Sequence, residues 1–92
     1  MDLTQAPGIS KILNHKLINI EKELIQLAKK DLDELVEQQE IPPQNTHISA
    51  CAFVGTFRQV LMSWLREGQP ENLDETWDTL LKYNLRGLGK DE

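Results

Sequence analysis

The stretch that decides the fold is MSWLREGQPENLDETW, residues 62–77, where one predicted helix ends and the next begins. Gly68 and Pro70 are typical of a helix stop. Asn72, followed by Asp74 and Glu75, has the N-cap and the early acidic residues of a new helix. The residues leading into this stretch, ISACAFVGTFRQVLMSWL (48–65), carry a single charge, Arg58. A helix with so little charge needs other apolar residues packed against most of its surface. A small domain has few such residues of its own.

The hydrophobic periodicity predicts an all-α fold with no strand and three helices, at about 10–39, 47–67 and 72–87, in one domain over residues 1–92. In the first helix, apolar residues with alternating spacings of four and three form a stripe that we expect to be packed along its length: Leu13, Leu17, Ile20, Leu24 and Leu27. An alternative is a break at Lys30, with Asp31 capping a new helix. Pro42 and Pro43 prevent the helix from continuing past Ile41.

The second and third helices have wider apolar arcs than the first helix can cover. On the second helix, the side opposite the large apolar residues consists of small or neutral residues, which allow another helix to approach closely. We therefore predict an antiparallel helix pair that joins a second copy of the chain in a four-helix dimer bundle. The predicted interface residues are Thr56, Gln59, Ser63, Thr76, Leu80, Tyr83 and Asn84. The alternative is a monomer in which the wide arcs cover each other.

Charge and composition restrict the partners. The net charge is −5, and the ten Lys and Arg residues are spread along the chain, which argues against direct binding to nucleic acid or an anionic membrane. The single cysteine, Cys51, excludes an internal disulfide and is typical of a reducing cytoplasm. The N-terminus lacks the pattern of a signal peptide, and no uninterrupted apolar run reaches about 18 residues. We expect a cytoplasmic protein that does not span a membrane.

From Leu35 to Gly89 the sequence resembles the end of a TetR-family transcriptional regulator. The connector EIPPQNTH (40–47) is of the kind that joins two helices there. The segment FVGTFRQVLMSWLREGQPENLDE (53–75) combines the tryptophan, the Gly-Xaa-Pro turn and the acidic cap at the family's offsets, and the last helix ends in LRGL (85–88). The resemblance is carried by packing residues and contains no catalytic signature.

This resemblance implies the last two helices of a regulatory domain, which form the subunit interface in that family, and a first helix that forms one wall of a ligand pocket. Phe53, Phe57, Leu61 and Trp64 are then core or effector-pocket residues, and the effector is a small apolar molecule. Residues 1–92 contain no pattern typical of a helix-turn-helix recognition helix. We therefore expect DNA binding to reside in a domain that this chain lacks.

No set of residues predicts a catalytic constellation, a cofactor or a metal site, and we do not expect an enzyme. His47 and Cys51 share a helix face and only His15 could join them, which leaves a structural zinc site short of a fourth ligand. The acidic residues Asp31, Asp33, Glu34 and Glu37 are best interpreted as a solvated face, with Arg58 pairing to Glu34 or Glu37. Two other functions stay open: a helical adaptor that binds a partner helix through the first-helix stripe, and a metal-responsive module.

Overall fold

A computed structural model describes residues 7–90, which form three helices and no strand: α1 (Pro7–Glu37), α2 (Thr46–Glu67) and α3 (Leu73–Gly87). The all-helical prediction is confirmed. Helix α1 begins three residues earlier and ends two residues earlier than predicted, and it continues through Lys30 without a break. The predictions about a signal peptide at Met1–Ala6 and about a frayed tail at Asp91 and Glu92 lie outside the described residues.

Side-chain caps fix the beginnings of α2 and α3. The side-chain oxygen of Asn45 accepts hydrogen bonds from the backbone N–H groups of His47 (3.1 Å) and Ile48 (3.2 Å). Asn72 accepts from the N–H of Glu75 at 3.0 Å. These bonds satisfy N–H groups that have no partner within a helix, so each asparagine sets where its helix starts. Between the two helices, Gly68 has φ of 69° and closes α2 with a bond from its N–H to the Trp64 carbonyl.

Helices α1 and α3 end in the same backbone motif. After α3, the N–H of Lys90 bonds the Leu85 carbonyl and the N–H of Gly89 bonds the Arg86 carbonyl, the paired bonds of a Schellman motif. The residue at its left-handed position is Gly89, with φ of 89°. After α1 the corresponding residue is Gln39, with φ of 62°. An L-residue with a side chain adopts this conformation at a cost of about 1 kcal/mol or more, so Gln39 is the strained one of the two.

The core lies at one end of the molecule, where α1 ends, α2 begins and the chain leaves α3. Its buried residues are Leu32, Ile41, Ala50 and Leu88, with Ile25, Ala28, Leu35 and Val36 packed against them. Gln44 ties the connector to the end of α3, because its side-chain N–H₂ donates to the Leu88 carbonyl at 2.9 Å. Each of the three helices, or the residues directly next to it, therefore contributes to the core at this end.

Helix α2 lies between the other two helices. Asp33 contacts Thr46, and Glu21, twelve residues earlier in α1, contacts Arg58, twelve residues later in α2, so α1 and α2 run in opposite directions. Helix α3 packs on α2 through Trp77 and Asn84. Along the described chain α1 and α3 do not pack against each other. The space between them stays open away from the core end.

Within the chain, the α1 stripe is not packed as predicted. Leu13, Leu17, Ile20, Leu24 and Leu27 are between 41% and 63% exposed. The residues of α1 that face α2 are instead Ile25, Ala28, Leu32, Leu35 and Val36, centred about 100° around the helix from the stripe. The charge pairing also differs from the prediction, because Arg58 pairs with Glu21 (3.2 Å) and not with Glu34 or Glu37. Helix α2 extends back along α1 farther than Glu34, which places Arg58 near the middle of α1.

The chain is extended for its size. Its radius of gyration is 16.0 Å, whereas a compact domain of this length has about 12 Å. Its accessible surface is 7261 Å², compared with about 5,500 Å² for a typical folded monomer of the same mass. The difference, about 1,800 Å², exceeds the roughly 800 Å² that one partner contributes to a standard protein interface. The chain thus exposes more surface than a compact monomer of its mass.

We expect Gly89→Ala to destabilise the fold. The left-handed backbone opposes any side chain, and a Cβ there would lie 2.8 Å from Cγ of Pro42. The predicted loss is about 2 kcal/mol of unfolding free energy, measured by urea denaturation followed by circular dichroism. Gly87→Ala is the matched control, because it is helical and its Cβ would meet nothing within 4 Å. It should leave stability unchanged or raise it slightly, and equal losses in both variants would contradict this account.

Asp33 connects α1 to the first residue of α2. Its carboxylate accepts hydrogen bonds from Lys29 Nζ (2.8 Å) and from the Thr46 hydroxyl. The bonds from Lys29 and Thr46 hold the pKa of Asp33 below its ordinary value. Because the folded pKa is lower than the unfolded one, the charged carboxylate stabilises the fold above about pH 4, and this contribution is lost as the pH falls through the folded pKa.

We therefore expect Asp33→Asn to lower stability at pH 7 and to reduce the further loss of stability between pH 7 and pH 3. Urea unfolding at the two pH values measures both effects. Asp31→Asn, at an exposed carboxylate two residues away, is the control and should keep the acid dependence of the native chain. An unchanged acid dependence in Asp33→Asn would show that the Lys29–Asp33–Thr46 contact does not contribute to it.

Candidate interaction surfaces

The first surface lies on α2 and α3, on the side away from α1. We call it the back face and define it by Gln59, Ser63, Thr76, Leu80 and Tyr83. At about 100° per residue these side chains point to one side of the helix pair. Gln59 and Tyr83 are exposed, and the other three are half-buried. Leu80 and Thr76, with Val60 of α2 and the Gln69–Asn72 turn, line an open hollow of about 600 Å³. The back face therefore combines small residues, one exposed aromatic ring and a hollow between them.

Two residues of the back face also support the turn between α2 and α3. The Ser63 hydroxyl donates to the Gln69 carbonyl at 3.0 Å, and the Thr76 hydroxyl donates to the Asn72 carbonyl at 2.7 Å. Both bonds remain within the chain. They also give these positions a structural role that the sequence pattern did not indicate.

Thr56 and Asn84 form a polar contact between α2 and α3. The side-chain N–H₂ of Asn84 donates to the Thr56 hydroxyl and to the Leu80 carbonyl, each at 2.9 Å. Asn84 is only 7% exposed, and the Thr56 hydroxyl also donates to the Phe53 carbonyl. The structure thus places both residues in contact within one chain, and their predicted place in a subunit interface stays a prediction.

The second surface lies on the opposite side of α2, where the four residues predicted as core or effector pocket share a face. The Phe57 ring lies between the rings of Phe53 (centroids 5.2 Å apart) and Trp77 (5.6 Å apart, stacked). Leu61 and Trp64 continue this row and are more exposed. Trp77 was missed as a member of this row, although its position on the same face of α3 as Leu73, Leu80 and Asn84 placed it toward α2.

The α1 stripe forms the other wall of this surface. Leu17 and Leu24 lie on the same line of α1 as Ala28 and Leu35, which pack against the cluster that contains Leu88. The stripe is thus on the flank of α1 that faces the α3 side. We call the open space between the α1 stripe and α3, with Phe53, Phe57, Leu61 and Trp64 as its floor, the front groove. No third wall closes it along residues 7–90.

The candidate metal ligands do not converge. His47 and Cys51 are neighbours, with 3.7 Å between Nε2 and Sγ. His15 lies 17 residues before Leu32, the core residue level with the start of α2, which is about 25 Å along α1. Among the described residues no group of three His, Cys, Asp or Glu side chains could hold a metal ion. Asp33, from the acidic group of α1, is bonded to Lys29 and Thr46.

By length and composition alone, helix α2 could cross a membrane, because it has 22 residues and contains an 18-residue segment with a mean hydropathy of 1.2. Only 6% of that segment is buried within the chain. The sequence argument against a span relied on an uninterrupted apolar run, which is a stricter requirement. The core helix of a soluble protein meets the same composition test. The helix also carries Arg58, paired with Glu21, at its middle. This result therefore reflects the small number of charged residues in α2.

Comparison with known proteins gives no relative, because no protein-family model, curated protein or solved structure matches this chain.

We expect Asn84→Ala to destabilise the isolated chain by about 1–3 kcal/mol, because it removes two hydrogen bonds from a buried position. The Thr56 hydroxyl and the Leu80 carbonyl each lose one hydrogen-bond partner. Thr56→Val, which removes one of these bonds, should cost less. Chemical denaturation over a tenfold range of protein concentration measures the effect. A loss of stability that changes with protein concentration would show that the pair also contributes to a subunit interface.

Proposed function

We propose that this chain is the dimerisation and effector-sensing region of a TetR-like transcriptional regulator. The observation that supports it best is the apolar excess of α2 and α3, in a chain whose sequence from Leu35 to Gly89 resembles the end of that family. The caps at Asn45 and Asn72 and the left-handed Gly68 give two helices joined by a short turn, as the resemblance implies. These features specify neither a family nor a partner.

In the proposed dimer, α2 and α3 form an antiparallel pair, and the back faces of two copies meet across a two-fold axis as a four-helix bundle. Small side chains at Ser63 and Thr76 permit close approach, Gln59 and Tyr83 contribute the larger exposed surface, and Leu80 lines the hollow that the partner enters. An isologous contact of this kind places Tyr83 of each copy against the same residues of the other.

In the proposed sensing role, a small apolar effector lies in the front groove against Phe57 and Trp64. A ligand there contacts α1 and α2 together, so binding favours one separation of the two helices over another. Coupling arises because a dimer transmits that difference across its axis. DNA is contacted through a helix-turn-helix domain that residues 1–92 do not include, and no membrane takes part. The cytoplasm is the corresponding location.

The test of this proposal is the solution mass, measured by light scattering over a dilution series for the native chain, Leu80→Glu and Tyr83→Glu. We expect the native chain to associate, and both substitutions to halve the mass at a given concentration, because each places a charge in the back-face contact. Tyr83 is 65% exposed, so its substitution should not disturb the fold. Leu65→Glu is the matched control: Leu65 is 62% exposed and lies off the back face.

A native chain that stays monomeric at every concentration, with full helicity, would contradict the proposed dimer. It would favour the adaptor alternative, in which the α1 stripe binds the helix of a different protein. If Leu65→Glu lowers the mass as much as Tyr83→Glu, the association is non-specific, and the proposal fails on that ground.

A further inference from the structure

The α1 stripe has no role in the back-face dimer and no cover within the chain. Its five residues span four turns of helix and are all exposed. The excess surface of about 1,800 Å² is more than the roughly 800 Å² per partner that one standard interface would cover. The back-face contact alone would therefore leave part of this excess surface, including the α1 stripe, uncovered.

The charges beside the stripe of one copy can pair with those of a second copy. Lys16 and Glu23 lie on the same outer edge of the stripe, seven residues apart, and both are exposed. When two copies of α1 pack in opposite directions about the middle of the stripe, near Ile20, residue 16 of one copy lies level with residue 23 of the other. The arrangement forms two Lys–Glu pairs related by the two-fold axis.

The distribution of charge along α1 favours the same direction. Asp31, Asp33, Glu34 and Glu37 crowd the C-terminal end of the helix, so a parallel pair would bring the two acidic ends together. The opposed arrangement separates them and also aligns the two helix dipoles favourably. Glu21 takes no part, because Arg58 of the same chain already pairs with it.

We propose that the α1 stripe is a second self-association surface, on which α1 of another copy packs in the opposite direction, with Lys16 of each copy beside Glu23 of the other. The incoming helix covers Leu17, Ile20 and Leu24 and closes the open side of the front groove. This inference deepens the proposed function, because a second copy and an effector then compete for, or jointly fill, the same groove. It does not require that the back-face dimer exists.

The first experiment measures the mass of Leu17→Glu beside that of Leu65→Glu. The two residues are 63% and 62% exposed, and Leu65 belongs neither to the back face nor to the front groove. We expect Leu17→Glu to weaken the stripe contact at least about 100-fold, because the two-fold axis introduces two buried charges. The native assembly should be larger than a dimer and should fall to a dimer in this variant, while Leu65→Glu keeps the native mass.

The outcomes separate the two proposals. Loss of mass in Leu17→Glu and in Tyr83→Glu, each leaving a smaller assembly, supports both surfaces. Loss in Tyr83→Glu alone overturns the stripe contact and leaves the back-face dimer standing. Loss in Leu17→Glu alone supports the stripe contact and overturns the back-face dimer. A mass unchanged by Leu17→Glu overturns the inference. The stripe would then bind the helix of a different protein or an effector, and not a second copy.

A charge exchange tests the direction of packing. Lys16→Glu and Glu23→Lys should each weaken self-association by about five- to tenfold, because each replaces two opposite-charge pairs by two like-charge pairs. The double variant, and an equimolar mixture of the two single variants, should recover the native affinity. A double variant as weak as the single ones would overturn the proposed pairing.

A cross-link tests the position of the axis independently of charge. With Cys51→Ser as background, Ile20→Cys should give a covalent dimer with a short bismaleimide, since the two residues lie across the axis at about the 8–10 Å spacing of packed helices. Leu65→Cys in the same background should not. Equal yields from the two variants would contradict a contact centred on Ile20.

Discussion

The structure depends on the small cluster of Leu32, Ile41, Ala50 and Leu88. This cluster is the only place where the flanks of all three helices meet among residues 7–90, and it contains the residues that are most completely buried. Its position is set by the connector, because α1 ends at Glu37 with Gln39 in the left-handed conformation, and the chain then turns so that Ile41 itself is enclosed. The close approach of Gly89 to Pro42, which leaves no room for a Cβ, brings the end of α3 to the same point.

Everything farther from the cluster is held by fewer contacts. Polar contacts continue the packing of α1 on α2 as far as Glu21 and Arg58, and the Phe57–Trp77 stack and the Asn84–Thr56 bond attach α3 to α2. Beyond these points the helices present apolar residues to solvent. Removing such apolar surface from water is the main favourable term in protein association, and this end of the chain is where that surface is largest.

The two surfaces differ in chemistry, and the difference suggests different roles. The back face is small and polar at its centre and has its own internal hydrogen bonds, which favours a contact of fixed geometry. The front groove is apolar and open, with an aromatic floor and a wall of Leu and Ile, which suits a contact that can adjust to what enters it. If both are used by copies of this chain, a change in the front groove can be passed to the back face through α2, which belongs to both.

Sequence reasoning predicted the helices well and the packing of α1 badly. Caps and turns at Asn45, Gly68 and Asn72 depend on a few neighbouring residues, so they could be identified without knowledge of the fold. The stripe from Leu13 to Leu27 has the correct period for a packed helix, but a period shows only that residues share a face and not what lies against that face. The partner of Arg58 was also wrong, because the register of α1 against α2 is set by the connector and by the core cluster.

The sequence by itself therefore determined the class of fold, the number of helices, the ends of α2 and α3 and the excess of apolar surface on these two helices. These features follow from local backbone chemistry and from the periodicity of the side chains. Only the tertiary structure decided that the line of α1 facing α2 is Ile25–Leu32–Val36, that the stripe is left open, and that Thr56 and Asn84 bond each other. Those outcomes depend on the placement of the helices relative to one another. That placement is set by contacts between residues far apart in the chain.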